Sequence, residues 1–275
     1  MGSEMCIRDR ANMVKSFLID NSVFDKVDLI SMSTSGDTVD NKIFKKEGGK
    51  GLFLKELENA LLDGEADIAV HSMKDVPAKL DERFNISSIM KREDPRDVFI
   101  SDKHKTLSEI ETGIIGSSSP RRQAIIKHMN SNIKSKEIRG NIQTRLQKLK
   151  KEQLDGIILA KSGLIRMGLD HVITQSLSVN DFVPSPGQGI LCIECLSKND
   201  FIIKRIKKVV HVDTEICGAA ERIFARNMDG DCLSPIGAHA VIEKNLLTIT
   251  GYVASIDGTK SVSYTHLTLP TIYSV

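Results

Sequence analysis

The chain has 275 residues, more than a typical single domain, so two or three domains are expected. With 40% hydrophobic and 27% charged residues it has an ordinary globular composition, and a net charge of +2 gives no overall field to draw in nucleic acid or a membrane surface. No apolar run approaches the roughly 18–20 residues of a membrane span, the N-terminus lacks a signal peptide's apolar core, and the five cysteines make no disulfide framework, so a cytoplasmic protein with local anion sites is expected.

In chain order, Val27–Ser31 reads as a strand and Thr34–Asp37 as a polar turn. Lys42–Lys50 is a basic, glycine-bearing loop. Leu54, Leu57 and Leu61 at helical spacing predict an amphipathic helix over Leu52–Leu62, stopped by Gly64. Ala66–Val70 follows as a buried strand. It ends in His71-Ser72-Met73-Lys74-Asp75-Val76-Pro77, a polar cluster at a strand's carboxyl end, where open α/β sheets bind ligands.

Arg92–Val98 is charged, carries Pro95 and reads as a hinge. Gly113–Gly116 is a strand running into Ser117-Ser118-Ser119-Pro120-Arg121-Arg122-Gln123. Ser119 as N-cap and Pro120 at the first helical position start a helix there. Strand, small polar turn and helix N-terminus make an anion site, and two arginines add bidentate grip. No GxGxxG accompanies it, so it is not a dinucleotide fingerprint. Ile138–Asn141 ends another strand, Ile142–Leu149 is a helix bearing Arg145, and Asp155–Ala160 is a strand before the helix with Leu164, Arg166 and Met167. Arginines therefore follow successive strand ends (Arg121 and Arg122, Arg139 and Arg145, Arg166), a series that converges on one cleft.

Phe182–Gly189, which includes Gln188, is a proline-glycine crossing that returns the chain to the first domain. Cys192 and Cys195 point to opposite faces of the next strand and predict no zinc site. Asp213 is read as the cap of a helix that ends at Gly230. Gly230–Gly237 is a tight loop holding Cys232, and Ala238–Val241 and Leu247–Tyr252 are strands.

The string HSMKDVP, the Ser117–Gln123 turn, the arginine series, the PSPGQG crossing and GDCLSPIG occur in the order found in hydroxymethylbilane synthases (porphobilinogen deaminases), and residues 11–260 resemble that family. The resemblance implies an α/β fold: two doubly wound, periplasmic-binding-protein-like domains facing a cleft, plus a small α+β domain. The divisions are 11–89 with 190–209, then 90–189, then 210–260. It implies stepwise condensation of four porphobilinogens into linear hydroxymethylbilane with loss of ammonia. Asp75 is then the catalytic carboxylate, and Cys232 carries a covalent dipyrromethane cofactor through a thioether. Ser72, Lys74, Ser119, Arg121, Arg122 and Arg139 would hold that cofactor. Lys46, Lys50, Ser117, Ser118, Arg145, Arg166 and Gln188 would hold substrate, while Phe53 reads equally well as a neighbour of the pyrrole rings or as core packing. Every pyrrole brings acetate and propionate groups, so a growing chain needs many cations, while a fixed carboxylate opposes the cationic intermediates. The implied partners are porphobilinogen and the polypyrrole chain, with no metal, nucleic acid or membrane, in a monomer.

Residues 1–10 and 261–275 do not match the family pattern and read as foreign segments, leaving the third domain truncated. That reading predicts little or no turnover for the chain as written. The competing function is a two-lobed solute-binding protein without chemistry, which needs neither HSMKDVP nor a cysteine loop.

Overall fold

The computed structural model describes residues 2–32, 50–229, 234–255 and 258–270, with side chains at 2–7, 50–53 and 264–270 outside that description. The chain opens with helix α1 (Gly2–Asp20). Val14 and Leu18, four apart and so on one helix face, are buried against Ile193, Cys195, Ile202 and Ile206. The expected amphipathic helix forms as α2 (Lys50–Asp63), and its Leu57 and Leu61 pack on Ala69 and Phe84. Between these helical layers lie β1 (Ala69–Ser72) and β2 (Phe84–Ser87), on either side of a strand that returns much later, β8 (Leu191–Leu196). β8 is antiparallel to both neighbours, with His71 opposite Cys192 and Asn85 opposite Cys195. Covered on both faces, it is apolar throughout except for Glu194.

The second lobe is built on a five-stranded sheet of order β5-β4-β6-β3-β7. Its strands are β3 (Asp97–Ile100), β4 (Gly113–Gly116), β5 (Ile133–Lys136), β6 (Gly156–Ala160) and β7 (Gln175–Ser176). β4 runs parallel to β5 and β6, whereas β3 is antiparallel to β6 and β7. Helix α3 (Pro120–Met129) covers one face, with Ile125 and Ile126 packed on Phe99, Ile115 and Ile158. Helices α4 (Ile142–Lys151) and α5 (Lys161–Arg166) cover the other, with Leu149 and Leu164 against Val98, Ile157 and Leu159. Helix α6 (Asp200–Lys207) joins α1 on the first sheet. Helix α7 (Val212–Asn227) then precedes an antiparallel meander of β9 (Ile236–Glu243), β10 (Leu246–Ala254) and β11 (Ser261–Pro270). The family-based division after residue 10 falls inside α1, and that after residue 260 falls at the first residue of β11.

Two local expectations are corrected. Val27–Ser31 is not a strand. Leu29 and Ile30 are 41% and 60% exposed, and the segment pairs with no described strand. The α7 cap is His211 rather than Asp213, its Nδ1 accepting from the Thr214 N–H at 3.3 Å. Asp213 lies in the first turn, where its charge favours the helix dipole.

The three layers meet at Glu221 on α7, which is fully buried. Arg92 donates to both of its oxygens, at 2.5 and 3.2 Å, and the backbone N–H groups of Gly187 and Ala240 donate at 2.7 Å each. One carboxylate thus joins the hinge, the crossing and β9. Gly187 and Gly189 both lie in the left-handed region (φ 72° and 90°), and a Cβ at Gly189 would sit 2.4 Å from the Glu93 carbonyl oxygen.

His239 on β9 is held neutral near this junction. Burial and the neighbouring Arg92 charge push its pKa down to about 4, against partial compensation from Asp94. The folded protein therefore binds fewer protons than the unfolded one between about pH 6.5 and 4, and stability falls as pH drops through that window. The loss is at most about 3 kcal/mol. Denaturant titrations of the protein and of His239→Gln between pH 7 and 4 check this: the variant should lose the pH-dependent component, and parallel curves would show that His239 does not cause it.

Candidate functional site

The site begins where β1 ends. Residues Met73–Asp75 form a single 3₁₀ turn, closed by the Val76 N–H to the Met73 carbonyl at 3.1 Å and tied to the first sheet by the Met73 N–H to the Ile190 carbonyl at 3.0 Å. The strand expected over Ala66–Val70 instead starts at Ala69 and runs two residues past Val70, taking in His71 and Ser72, before the polar turn. Strand alternation separates the polar side chains. Ser72 faces α1, its hydroxyl accepting from Arg10 Nη1 at 2.6 Å. His71 faces the other way, its Nε2 2.9 Å from Glu194 Oε2 in a buried pair. Lys74 and Asp75 are half-buried on the turn itself.

From Lys74 a polar chain crosses to the second lobe. Its Nζ donates to Gln188 Oε1 at 3.4 Å, and the fully buried Gln188 amide donates to the Pro95 carbonyl at 2.7 Å and to Asp97 Oδ1 at 2.8 Å. Asp97, fully buried on the first residue of β3, also receives Arg121 and Arg122, each at 2.7 Å. Burial alone would raise the Asp97 pKa, but two guanidiniums and the Gln188 amide hold it well below the usual carboxylate range.

The Ser119-Pro120 start of α3 forms as expected, with Ser119 Oγ accepting from the Arg122 N–H. The structure gives Arg121 and Arg122 internal partners that the sequence reading, which gave both to a ligand, did not foresee. Arg121 also donates to the Val183 carbonyl at 2.6 Å and Arg122 to the Ile158 carbonyl at 3.0 Å. Two adjacent guanidiniums taken from water must find internal acceptors, and Asp97 with these carbonyls supplies them. The Nε of each remains buried without a hydrogen-bond partner. Arg145 lies near both lobes' charges: burial and the Arg122 charge lower its pKa, and Asp75 opposes that. Its Nε donates to the Gly140 carbonyl at 2.8 Å.

Other candidates are more dispersed. Ser117 is buried, Ser118 Oγ donates to the Ile138 carbonyl, and Arg166 donates to the Gly189 carbonyl at 2.8 Å. Arg139 is half-exposed and paired with Glu137 at 2.7 Å. Lys46, Cys232 and the side chains of Lys50 and Phe53 lie outside the described residues. Cys192 and Cys195 do face opposite sides, in separate clusters, and no metal-binding group occurs among the described residues. Sequence reasoning missed Asp97, Glu221 and Arg222. Each is a single charged residue whose partners lie distant in the chain, and no local pattern marks it.

Two α/β lobes are thus bridged by a polar chain from a carboxylate turn to a buried arginine pair, with Arg145 in the field of both. The partnerless Nε of Arg122, together with Arg145, makes a donor set that fits a ligand bearing several carboxylates. This defines a protein of the class that handles a multiply anionic ligand between two α/β lobes. Comparison with known proteins identifies it further. The family description "Porphobilinogen deaminase, dipyromethane cofactor binding domain" matches residues 2–204, and "Porphobilinogen deaminase, C-terminal domain" matches residues 215–268. The chain belongs to the porphobilinogen deaminase family. Porphobilinogen deaminase from Francisella philomiragia is 45% identical over 83% of this chain and 76% of its own. That from Chromobacterium violaceum is 44% identical over 84% and 75%, and that from Trichlorobacter lovleyi 42% over 92% and 81%. Among solved structures, a periplasmic substrate-binding protein of an ABC transporter from Coxiella burnetii covers 83% of this chain and 96% of its own at 15% identity and a TM-score of 0.44, too loose a superposition to carry an argument.

Proposed function

We infer that the cleft between the lobes performs the family's reaction and that Asp75 is the carboxylate at its centre. As a porphobilinogen deaminase the chain is a transferase of tetrapyrrole biosynthesis, a hydroxymethylbilane synthase that joins four porphobilinogens and releases ammonia, with dipyrromethane as its cofactor. When bound, dipyrromethane supplies the pyrrole carbon on which the chain grows. The observation that most supports the site assignment is the polar chain that runs from Lys74, next to Asp75, through Gln188 to Asp97 and the Arg121–Arg122 pair.

In this reading Arg122 and Arg145 meet carboxylates of the cofactor and growing chain, with Arg139, Arg166, Lys46 and Lys50 taking others. Arg121, committed to Asp97 and Val183, orients its neighbour. Ser72 and Lys74 hold the ligand beside Asp75, and Ser117, Ser118 and Ser119 add neutral donors. Asp75 faces the cation left when porphobilinogen loses ammonia and holds the pyrrole proton at a carboxylate oxygen. Cys232 is the anchor through its sulfur. In this reading the protein acts as a monomer in the cytoplasm. Among the described residues no helix is long and apolar enough to cross a membrane.

Intact-mass spectrometry tests the anchor. The purified protein should exceed its calculated mass by one dipyrromethane, and Cys232→Ser should match its own calculated mass. The same excess in both would remove Cys232 from the reaction.

A further inference from the structure

Beyond Asp75 the backbone leaves regular structure, and among the described residues the carbonyls of Val76, Pro77 and Ala78 have no strand or helix partner. All three are taken by one side chain from another layer. Arg222 on α7 donates Nη1 to the Val76 oxygen at 3.3 Å, and Nη2 to Pro77 at 2.8 Å and Ala78 at 3.4 Å. A planar guanidinium with several donors suits successive carbonyls in a way that a single ammonium does not.

The same helix presses on the turn from its other end. A Cβ at Gly218 would stand 2.8 Å from Met73 Sδ, and one at Gly187 would stand 2.7 Å from Met73 Cγ. Met73, 3% exposed, is therefore clamped between α7 and the crossing, whose Gly187 N–H is itself held by Glu221 on α7. Asp75 sits between these anchors, Met73 before it and Arg222's three carbonyls after it. α7 is also the element from which the chain passes into the Cys232 loop. A single helix thus sets both the position of the Asp75 turn and the starting point of the cofactor loop.

We propose that Arg222 is a positioning residue for the reaction, holding the Asp75 turn against α7 so that the carboxylate keeps a fixed place. The proposal rests on the reading of Asp75 as the central carboxylate. A displaced turn leaves the arginines of the second lobe in place and shifts Asp75 together with Lys74, so turnover should fall far more than substrate affinity.

The test compares Arg222→Met, which keeps the apolar stem, with Arg222→Lys, Gly218→Ala and Asp75→Asn in the full chain. Arg222→Met should lower kcat about tenfold or more with KM for porphobilinogen within about twofold. Cofactor mass should be unchanged, and hydrogen exchange at the Val76 and Ala78 amides faster. Arg222→Lys should recover part of kcat, and Gly218→Ala, which displaces Met73 without touching a charge, should reproduce the kcat loss. Unchanged kcat in Arg222→Met overturns the proposal. So does a raised KM at constant kcat, which would make Arg222 a ligand for substrate, or a kcat loss that only tracks lost cofactor mass. If Arg222→Met does not fold, full activity in both Arg222→Lys and Gly218→Ala overturns it equally. Normal turnover in Asp75→Asn would instead overturn the reading of Asp75, whatever Arg222 does.

Discussion

Asp75→Asn should fold, keep its cofactor mass and lose on the order of 10²–10³ of its turnover. The substitution is nearly isosteric, and the turn is fixed by the Met73 N–H to Ile190, the Val76 N–H to Met73 and Arg222 on the carbonyls of Val76, Pro77 and Ala78. The turn should therefore keep its shape, and what changes is the charge. Loss of ammonia from porphobilinogen generates a cation, and a fixed anion in a partly buried site opposes it more strongly than water does. Arg145 should also register the change: without Asp75 it keeps the repulsion from Arg122 and loses its compensating partner. Single-turnover reactions with enzyme in excess would resolve even slow chemistry, and a rate within a factor of a few of the unsubstituted chain would remove Asp75 from its central role.

The largest stability effect should come from Asp97→Asn. Asp97 is fully buried and receives Arg121, Arg122 and Gln188, and the two guanidiniums are themselves 3% and 8% exposed. Neutralising it leaves two buried cations without an anion, and removing one partner of such a set destabilises by about 3–5 kcal/mol. The second lobe's melting transition should fall by roughly 10 °C. Because Gln188 links Asp97 to Lys74, the variant should also loosen the polar chain between the lobes. The sign with pH follows from the depressed Asp97 pKa. Its stabilisation is complete above the ordinary carboxylate range and is lost only as pH falls below it. Calorimetry of both proteins at pH 7 checks the magnitude, and a shift of under about 2 °C would show that the triad is not a major support.

Local rules were legible in the sequence wherever they carry a local mechanism. Ser119 and Pro120 mark the start of α3, and Leu57 and Leu61 mark the buried face of α2, because capping and helical spacing act over a few residues. HSMKDVP marks the turn at the end of β1. What could not be read was ownership across the chain. Arg121 and Arg122 look like two free cations until β3 brings Asp97 between them, 24 and 25 residues away in sequence. The same holds for Glu221, which joins Arg92, Gly187 and Ala240, and for Arg222, which closes over Val76–Ala78 from more than 140 positions further on. Val27–Ser31 failed for the opposite reason. Its composition suits a strand, but it pairs with none of the described strands, and tertiary pairing rather than composition makes a strand.

The central claim is that this cleft builds a polypyrrole chain on a group anchored at Cys232, and intact-mass spectrometry during reaction tests it most directly. Purified protein mixed with stoichiometric porphobilinogen and quenched at intervals should show a ladder of covalent species above the cofactor-bearing mass, each step one pyrrole unit. Cys232→Ser should show no ladder, and Asp75→Asn should show the cofactor-bearing mass with the ladder slowed. An unmodified mass at every time point, or an equal ladder on Cys232→Ser, would contradict the account.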